Sequence, residues 1–511
     1  MPLRWLILTP HFPVGVECMN RSGGAARKLP EDERKALAVR GLAGSESITD
    51  LAGKYGVSRK FVYEQTHRAS VALDEAFPTA VNDDDEKVLF ELKITRRVLC
   101  RMILALMLIC RGSYRGVIEF MRDLLGVHIS EGTVHNVLEA AAAKADVINR
   151  ATDLSAVRVG LHDEIFQGPR PVLAGVDAKS TFCYLLAAEA HRDGDTWGVH
   201  LLDAKRQGLN PDYTIADAGQ GARAGQAVAL EDTPCHGDVF HIQHQFESLA
   251  NTLARIAQGH QSRCRKLQAK IEKGHLCDRA GEPAVEIDLA RKAGARSQAL
   301  ARDVRTLNQW LAHDVLSLAG PAVAARQDLY DFIAAELQLR EHEDVRRIRP
   351  MRVALQNQRD DLLAFARVLD DKLADVAKVH DVSEHLVRQV YLLHRKPSSS
   401  TAYWKRWNRL RSKLTNKFHL VFDALVGAMA STPRCSSLVE NLNSRLRTYF
   451  TLRRHLGSSY LALLQFFLNH RRFMRSRVGR KGKSPRELMT GQEHPHWFTL
   501  LGLGEPQPLL A

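Results

Sequence analysis

The sequence predicts a multidomain protein with a mixed five-stranded α/β core, which is interrupted by a large all-α insertion and preceded by helix-turn-helix domains. Three observations lead to this fold class. Segments with glycine turns and serine caps come first, short runs rich in β-branched and aromatic residues follow Arg150, and a long stretch of helical periodicity begins near Phe246. A chain of 511 residues is also too long for one compact core.

The net charge indicates what kind of partner to expect. The chain has 72 lysine and arginine residues against 58 aspartate and glutamate residues, which gives a formal net charge of +14 and an isoelectric point near 9.5. Excess positive charge favours a polyanionic partner, because phosphate contacts release condensed counterions. No apolar run reaches the roughly 18 residues that a membrane span needs. We therefore expect double-stranded DNA, and not a membrane, as the partner.

Cysteine usage and the first residues bear on the compartment. The eight cysteines are scattered without a CxxC pair, which argues against a disulfide framework and against a zinc finger. The opening segment MPLRWLILTPHFPVGVECM is basic and then apolar, but two prolines interrupt it and no small-residue cleavage site follows. We expect no signal peptide and a cytoplasmic protein.

Residues 27 to 80 have the pattern of a helix-turn-helix domain. After a first helix that starts at Pro30, the segment SITDLAGKYGVSRKFVYEQTHRAS combines a short apolar face with a turn at Gly56. Ser58 then caps a second helix that carries Val62 at core spacing. Long polar donors on this second helix can reach base edges and phosphates. These donors are Arg59, Lys60, Tyr63, Gln65 and Arg68. A helical hairpin with a solvated basic face is the alternative.

Residues 81 to 150 contain a second, similar helical unit. Between Ser113 and Arg150 the chain repeats the layout of a helix, a glycine turn at Gly126 and a helix capped by Ser130. Few basic residues lie near the start of that second helix. DNA contact therefore stays open here beside packing or dimerisation.

The first strand-like segment has an aspartate on an apolar face. In AVRVGLHDEIF every second residue shares one side of a strand, so Asp163 lies on the same side as Leu161 and Ile165. Val157 and Val159 extend this side toward the N-terminus. An ionised carboxylate in apolar surroundings requires a partner or a metal ion, because burying it alone is costly.

A second aspartate has a comparable setting. In DYTIADAG the side chains of Tyr213, Ile215 and Asp217 share one side, and Asp217 falls where the strand gives way to a glycine-rich segment. A structural cap of the following helix is the alternative role for Asp217.

A glutamate follows much later, on a helix. In SSLVENLNSRLRTYF, Glu440 begins a polar stripe at helical spacing that continues through Asn443, Ser444 and Arg447. The opposing apolar face consists of Val439, Leu442, Leu446 and Tyr449. A solvated surface position is the alternative for Glu440.

The long stretch between the second aspartate and this glutamate is helical, with short breaks such as KGHLCDRAGEPA and RKPSSSTA. We therefore expect a flexible tail at 1–26, a helix-turn-helix domain at 27–80 and a second helical domain at 81–150. A catalytic core at 151–245 and 431–480, a helical insertion domain at 246–430, and a basic loop with a C-terminal tail at 481–511 complete the predicted organisation.

The order and setting of these carboxylates resemble those of the DDE transposases of bacterial insertion sequences, members of the RNase H-like superfamily that includes retroviral integrases. The matching segments are HDEIF on the first strand, IADAGQGAR at the end of the fourth strand, LVENLNSRLR on a later helix and GKSPRELMTG near the end. The resemblance implies an α/β RNase H-like core with a helical insertion before the glutamate. It also implies a protein associated with the bacterial nucleoid.

The resemblance implies that Asp163, Asp217 and Glu440 are catalytic and bind two Mg²⁺ or Mn²⁺ ions. Carboxylate oxygens suit these cations, and two ions about 3.5 to 4 Å apart promote phosphodiester cleavage. In the implied mechanism Asp163 bridges the ions, water cuts the element end, and the freed 3′-hydroxyl attacks target DNA. Joining two ends implies a homo-oligomer on DNA.

Several nearby residues leave alternatives open. Asp177 is the rival of Asp163 as first carboxylate, although an aspartate at its position commonly forms a turn and the family pattern favours the first strand. In CHGDVFHIQHQ, Asp238 is expected to assist the site or to cap a helix. Zinc binding by Cys235 and His241 is left open, although their spacing matches no common finger.

Basic residues outside the first domain are also expected to bind DNA. Asn443 and Arg447 would orient phosphates beside the carboxylates. The segment AYWKRWNRLRSKLTNK interleaves tryptophans with basic residues, which suits phosphate contact and stacking, with a solvated basic helix as the alternative. The residues concerned are Trp404, Lys405, Arg406, Trp407, Arg409 and Arg411, followed by Arg453, Arg454, Arg471, Arg472, Arg475 and Arg477.

Two other functions compete with that of a transposase. The first is a non-catalytic helix-turn-helix regulator, against which the presence of all three carboxylates argues. The second is an RNase H-like nuclease that cuts DNA without joining strands, and the sequence does not separate it from a transposase.

Overall fold

The computed structural model describes residues 29–77, 93–272, 282–451 and 457–505. The chain divides into two compact units, residues 1–95 and residues 96–511. The tail predicted at residues 1–26 lies outside the described residues. Among the described helices, none combines the length and the apolar character needed to cross a membrane.

The described part of the first unit, residues 29–77 and 93–95, contains three helices, α1 (Glu31–Leu42), α2 (Ile48–Lys54) and α3 (Arg59–Ala76). Gly56 adopts a φ of 61°, in the left-handed region that glycine tolerates best. The side chain of Ser58 accepts a hydrogen bond from the backbone N–H of Phe61 and so caps α3. The buried core consists of Leu37, Leu51, Ala52 and Val62. The predicted helix, turn and capped helix are therefore confirmed.

The second unit begins with α4 (Arg96–Leu108), α5 (Tyr114–Leu125) and α6 (Glu131–Arg150). Gly126 lies in the left-handed region and Ser130 caps α6, as the sequence predicts. Residues of all three helices share one hydrophobic core with the sheet that follows. Packing thus accounts for the apolar face of the second helical unit, and this unit does not form a core of its own.

A five-stranded mixed sheet lies at the centre of the second unit. Its strands are β1 (Val159–Gln167), β2 (Arg170–Asp177), β3 (Cys183–Ala188), β4 (Tyr213–Ala216) and β5 (Cys235–Gly237). The spatial order is β3-β2-β1-β4-β5. Neighbours within β1, β2 and β3 are antiparallel, whereas β4 runs parallel to β1 and to β5. The prediction of a mixed five-stranded α/β core is confirmed.

Helices cover both faces of the sheet. Leu161 and Ile165 belong to the core shared with α4 to α6, whereas Leu173 packs on the other face with α7 (Gly194–Arg206) and α8 (Gln220–Ala229). The expectation that Val157 extends the face of Asp163 is wrong. Val157 precedes β1 and joins the cluster around Trp197 of α7, because the strand begins only at Val159.

The long helical region follows β5 directly. Its helices are α9 (Val239–Glu272), α10 (Glu282–Trp310), α11 (Val323–Arg340), α12 (Val345–His380), α13 (Glu384–Tyr391), α14 (Thr401–Leu414) and α15 (Phe418–Ala430). The region therefore starts at Val239 rather than at the predicted Phe246. Ion pairs between Arg305 and Glu247 and between Arg263 and Glu286 show that α9 and α10 run antiparallel. This region has its own hydrophobic cluster.

Four helices complete the described chain, α16 (Ser437–Phe450), α17 (Ser458–His470), α18 (Pro485–Thr490) and α19 (Trp497–Leu500). The segment predicted as a basic loop and tail is thus partly helical. Ser484 and Glu487 form a capping box at the start of α18, in which each side chain bonds the backbone N–H of the other residue.

Candidate functional site

The first two predicted carboxylates belong to adjacent parallel strands, Asp163 within β1 and Asp217 directly after β4. Leu161 of β1 pairs with Ile215 of β4, so continuing this register by two residues places Asp163 beside Asp217. Asp163 is 8% exposed, and Asp217 is half-buried directly after β4. Because side chains alternate between the two sides of a strand, this register places the side chains of Asp163 and Asp217 on the same face of the sheet, at the same edge.

Asp217 also has a structural role at the start of the following helix, as the alternative interpretation expects. Its Oδ1 accepts a hydrogen bond from the backbone N–H of Gly219 at 2.8 Å, just before α8. Its backbone carbonyl accepts from Nε of Arg223 at 3.0 Å, and the Arg223 guanidinium pairs with Asp361 of α12. These bonds hold the turn after β4, and the bond from Gly219 engages only Oδ1 of the Asp217 carboxylate.

Helix α16 brings Glu440 to Asp163. The predicted apolar face packs on the sheet, with Val439, Leu442 and Leu446 buried. Glu440 lies in the first turn of α16 and is partly exposed. Its carboxylate, that of Asp163 and the imidazole of His241 each offer one ligand atom, and these atoms lie within 4.8 Å of one another. Two of the three predicted carboxylates therefore meet with a histidine.

The sequence points to His241 only through the hypothesis of a zinc site with Cys235. His241 lies in the first turn of α9, shortly after the short strand β5 that pairs with β4. Cys235 is not a member of the group formed by His241, Asp163 and Glu440. The signal that sequence reasoning missed is topological, since β4 and β5 are parallel and their carboxyl ends meet at the same edge.

Asp238, directly after β5, makes hydrogen bonds that stabilise this edge of the sheet. Its side chain is fully buried, one oxygen accepts from the backbone N–H of Phe240 at 2.8 Å, and the other accepts from the hydroxyl of Ser436. Because Ser436 immediately precedes α16, the bond ties the start of that helix to the end of β5. Asp238 therefore caps the start of α9, which is one of its two expected roles. It also links this position to the start of α16 through Ser436.

Asn443 differs from the expected phosphate contact. It is 2% exposed, and its Nδ2 donates to Oδ2 of Asp163 at 2.8 Å. The second oxygen of Asp163 accepts from the backbone N–H of Glu164, also at 2.8 Å. Asn443 therefore orients a carboxylate inside the protein and does not reach the surface. Arg447, on the same polar stripe, is exposed.

The electrostatics of the group centre on Asp163. Burial raises the pKa of Asp163 to about 6, and the nearby carboxylates of Glu440 and Asp217 add to the rise. The N–H of Glu164 and the imidazole of His241 act in the opposite direction. Where burial and neighbouring carboxylates disfavour ionisation of a carboxyl group, a bound cation stabilises the ionised form most strongly.

Asp177 has the structural role expected of a turn residue. Its carboxylate accepts from the backbone N–H of Ser180 at 2.8 Å and from the Ser180 hydroxyl. It pairs with Gly160 at the far end of β1, whereas Asp163 pairs with Ala174. Asp177 is not part of the group around Glu440.

The predicted DNA-contacting residues of the first unit lie on its surface. Arg59, Lys60, Tyr63 and Arg68 are exposed on α3, and Tyr63 retains 62% of its accessible surface. Ile48, Arg59, Lys60, Tyr63 and His67 line one shallow groove. Within the described part of the chain, the three cations of α3 form no ion pair, so their charge is available to an anion.

Helix α14 is divided between surface and core. Trp404 is half exposed and Lys405 and Arg409 are exposed, while Arg406 is partly buried. Trp407 instead packs edge to face on Phe418, at 4.6 Å between ring centroids. Trp407 therefore belongs to the hydrophobic cluster of the insertion, contrary to its expected stacking on bases.

The remaining predicted DNA contacts differ in their surroundings. Arg453 and Arg454 lie outside the described residues. Arg472 pairs with the buried Glu487 at 2.7 Å and serves the capping box of α18. Arg475 and Arg477, in the segment between α17 and α18, are exposed and form no ion pair among the described residues.

No protein-family model matches the chain, and no curated protein matches it in sequence. An assignment of function therefore depends on the site itself and on the sequence pattern.

Proposed function

We propose that the chain is a DNA transposase with an RNase H-like core, which cuts the ends of a mobile element and joins them to target DNA in metal-dependent steps. The observation that carries the proposal is the convergence of Asp163 and Glu440, far apart in sequence, at the sheet edge where Asp217 also lies. The mixed five-stranded sheet is compatible with such a core.

The residues present fit a divalent cation. Two carboxylates and an imidazole offer ligand atoms to one point, and Nε2 of His241 is buried without a hydrogen-bond partner among the described residues. When bound at this edge, Mg²⁺ or Mn²⁺ would stabilise charge on the phosphorus and lower the pKa of the attacking water. Asp163, Asp217 and Glu440 would hold the ions, as oxygen ligands suited to hard cations.

The protein's own groups fix the orientation of this site. Asn443 and the N–H of Glu164 each hold one oxygen of Asp163, so its carboxylate cannot rotate freely. Ser436 and Asp238 hold the start of α16, which carries Glu440. Rigid placement of charged groups is what phosphoryl chemistry requires of a protein, because positioning supplies much of the rate enhancement.

Two exposed basic regions support DNA as the substrate. The cations of α3, Arg59, Lys60 and Arg68, lie next to Tyr63 on a helix that follows a short turn, as in proteins that place a helix in the major groove. Arg475 and Arg477 add positive charge in the second unit that no described acidic residue pairs with. Both regions would bind phosphates through counterion release, which agrees with the net charge of +14.

The test is a cleavage and joining assay with the full-length protein. The substrates are duplexes carrying the DNA ends that border the gene, a target plasmid and Mg²⁺ or Mn²⁺. Asp163→Asn, Asp217→Asn and Glu440→Gln are expected to lower cleavage by at least about a hundredfold, the usual scale for losing an electrostatic catalytic group. Asp195→Asn, which changes an exposed acid at the start of α7, is the matched control and should cleave as the wild type does.

The outcomes separate the competing functions. Cleavage with transfer into the plasmid supports a transposase, and cleavage without transfer indicates a nuclease. Binding of the ends without any cleavage indicates a DNA-binding regulator. If Asp217→Asn nicks the ends as fast as the wild type, the catalytic role of these carboxylates is wrong.

A further inference from the structure

We infer that His241 is a direct ligand of the cation held by Asp163 and Glu440, so that this position binds a first-row transition-metal ion in preference to Mg²⁺. The inference deepens the proposed function, because it concerns the metal ion of the same site. It departs from the expectation of carboxylate ligands alone.

The position of His241 is the first observation. Its ligand nitrogen, one oxygen of Asp163 and one oxygen of Glu440 lie within 4.8 Å of one another. The three side chains come from α9, β1 and α16, so three separate elements enclose one point. Ligand atoms of one ion, each about 2.0 to 2.2 Å from the metal, are separated by distances that fit within this span.

The second observation is an unsatisfied nitrogen. Nε2 of His241 is inaccessible to solvent and makes no hydrogen bond to any residue that the structure describes. Leaving a buried polar atom without a partner costs about 1 to 3 kcal/mol, so such atoms call for an explanation in terms of function or a missing ion. A cation between the three side chains would accept the lone pair of this nitrogen.

An ion pair of His241 with Asp238 or Glu440 accounts for the geometry less well than a bound cation does. Nε2 of His241 lies 3.5 Å from Asp238 and 3.9 Å from Glu440, which is longer than a charged hydrogen bond of about 2.7 to 2.9 Å. Asp238 already accepts from Ser436 and from the N–H of Phe240. Its need for donors is met without the imidazole.

The nitrogen ligand determines which ions the position prefers. Mg²⁺ favours oxygen ligands and retains its water, whereas imidazole nitrogen suits transition-metal ions. Asp217, directly after the neighbouring strand β4, is not within the group of three, and the bond from Gly219 engages its Oδ1, so Oδ2 would serve a hard cation such as Mg²⁺. Mn²⁺ is the suitable probe, because it accepts both oxygen and nitrogen ligands and is paramagnetic.

The experiment is electron paramagnetic resonance of Mn²⁺ bound to the full-length protein without DNA. Electron spin echo modulation should show coupling to one imidazole ¹⁴N, and the coupling should change to that of ¹⁵N when histidine is isotopically labelled. His241→Ala should abolish the coupling and weaken Mn²⁺ binding by more than about tenfold, since even residues behind a metal ligand cost that much. His244→Ala removes an exposed histidine of the same helix and should leave both unchanged.

The labelled wild-type spectrum needs no variant, so a lack of imidazole coupling there contradicts the inference even if His241→Ala folds poorly. Bound Mn²⁺ without nitrogen coupling, absence of Mn²⁺ binding at millimolar concentration, or unchanged coupling in His241→Ala would each overturn the inference. Nitrogen coupling combined with normal DNA cleavage by Asp163→Asn would leave the metal ligand in place and remove the proposed function. Cleavage that depends on Asp163 without nitrogen coupling would do the reverse.

Discussion

Asn443 of α16 donates a hydrogen bond from Nδ2 to Oδ2 of Asp163, in the middle of β1, at 2.8 Å. Both residues are buried, with 2% and 8% of their surfaces exposed. The bond therefore joins the helix that carries Glu440 to the strand that carries its partner carboxylate. It also satisfies one oxygen of a carboxylate whose pKa burial raises to about 6.

This bond predicts the effect of Asn443→Ala. The substitution leaves Oδ2 of Asp163 without a donor, so we expect the free energy of unfolding at neutral pH to fall by about 1 to 3 kcal/mol. Denaturation in urea measures the loss. Ser444→Ala, at the exposed neighbouring position, should change stability by less than about 0.5 kcal/mol. Equal stability of the two variants would show that the bond contributes nothing.

The sequence predicts those features that depend on local chemistry. Gly56 and Ser58 specify a turn and a cap within a few residues of themselves, and the structure places the glycine in the left-handed region and the serine on the N–H of Phe61. Asp163 stands out for a similar reason, because the alternation of a single strand identifies a charge on an apolar face. Such signals need no knowledge of distant residues.

Features that depend on tertiary contacts are not available from the sequence. The polar stripe of α16 does not show that Asn443 faces the core while Arg447 faces solvent, because both lie at helical spacing from Glu440. The likeness of Trp407 to a stacking residue is also misleading, since only the fold brings Phe418 against it. His241 reaches Glu440 through the pairing of β4 with β5, which no local pattern encodes.

A second prediction concerns the packing of α7 on α8. Gly225 allows close approach, because a Cβ at this position would lie 2.5 Å from Cβ of Trp197 and 2.6 Å from the backbone oxygen of Gly194. Gly225→Ala should destabilise the protein by about 1 to 3 kcal/mol, as overpacking does. At Gly259 of α9, no described atom would lie within 4 Å of an added Cβ. Gly259→Ala should therefore stabilise the protein by up to about 1 kcal/mol. Equilibrium denaturation compares the two, and a stable Gly225→Ala would contradict the close contact.

A third prediction concerns the unpaired charges between α17 and α18. Arg475→Ala combined with Arg477→Ala should weaken binding to any DNA sequence. If both arginines contact phosphates, the slope of log affinity against log salt concentration should become shallower by about 1.8, that is about 0.9 for each contact. Arg206→Ala, which removes an exposed arginine already paired with Asp203, is the control and should keep the wild-type slope. An unchanged slope in the double variant would exclude phosphate contact.

A fourth prediction follows from a buried histidine at the end of α17. Burial lowers the pKa of His470 to about 3, and the neighbouring side chains of His494 and Arg486 lower it further. The ring is held as a neutral group, with Nδ1 bonded to the carbonyl of Phe466 and Nε2 close to the guanidinium of Arg486. The C-terminal segment therefore packs around an imidazole that resists protonation.

The lowered pKa of His470 makes the stability of the folded protein depend on pH. Between pH 6.5 and pH 3 the unfolded chain binds a proton at His470 that the folded chain excludes, so stability falls as pH decreases through this window and is constant above it. From pH 7 to pH 5 the loss from this group is about 2 kcal/mol. Urea denaturation across this range should show a weaker pH dependence in His470→Asn than in the wild type, whatever its absolute stability. His135→Asn, at an exposed position on α6, should retain the wild-type dependence, and a parallel shift of both variants would rule out His470 as the source.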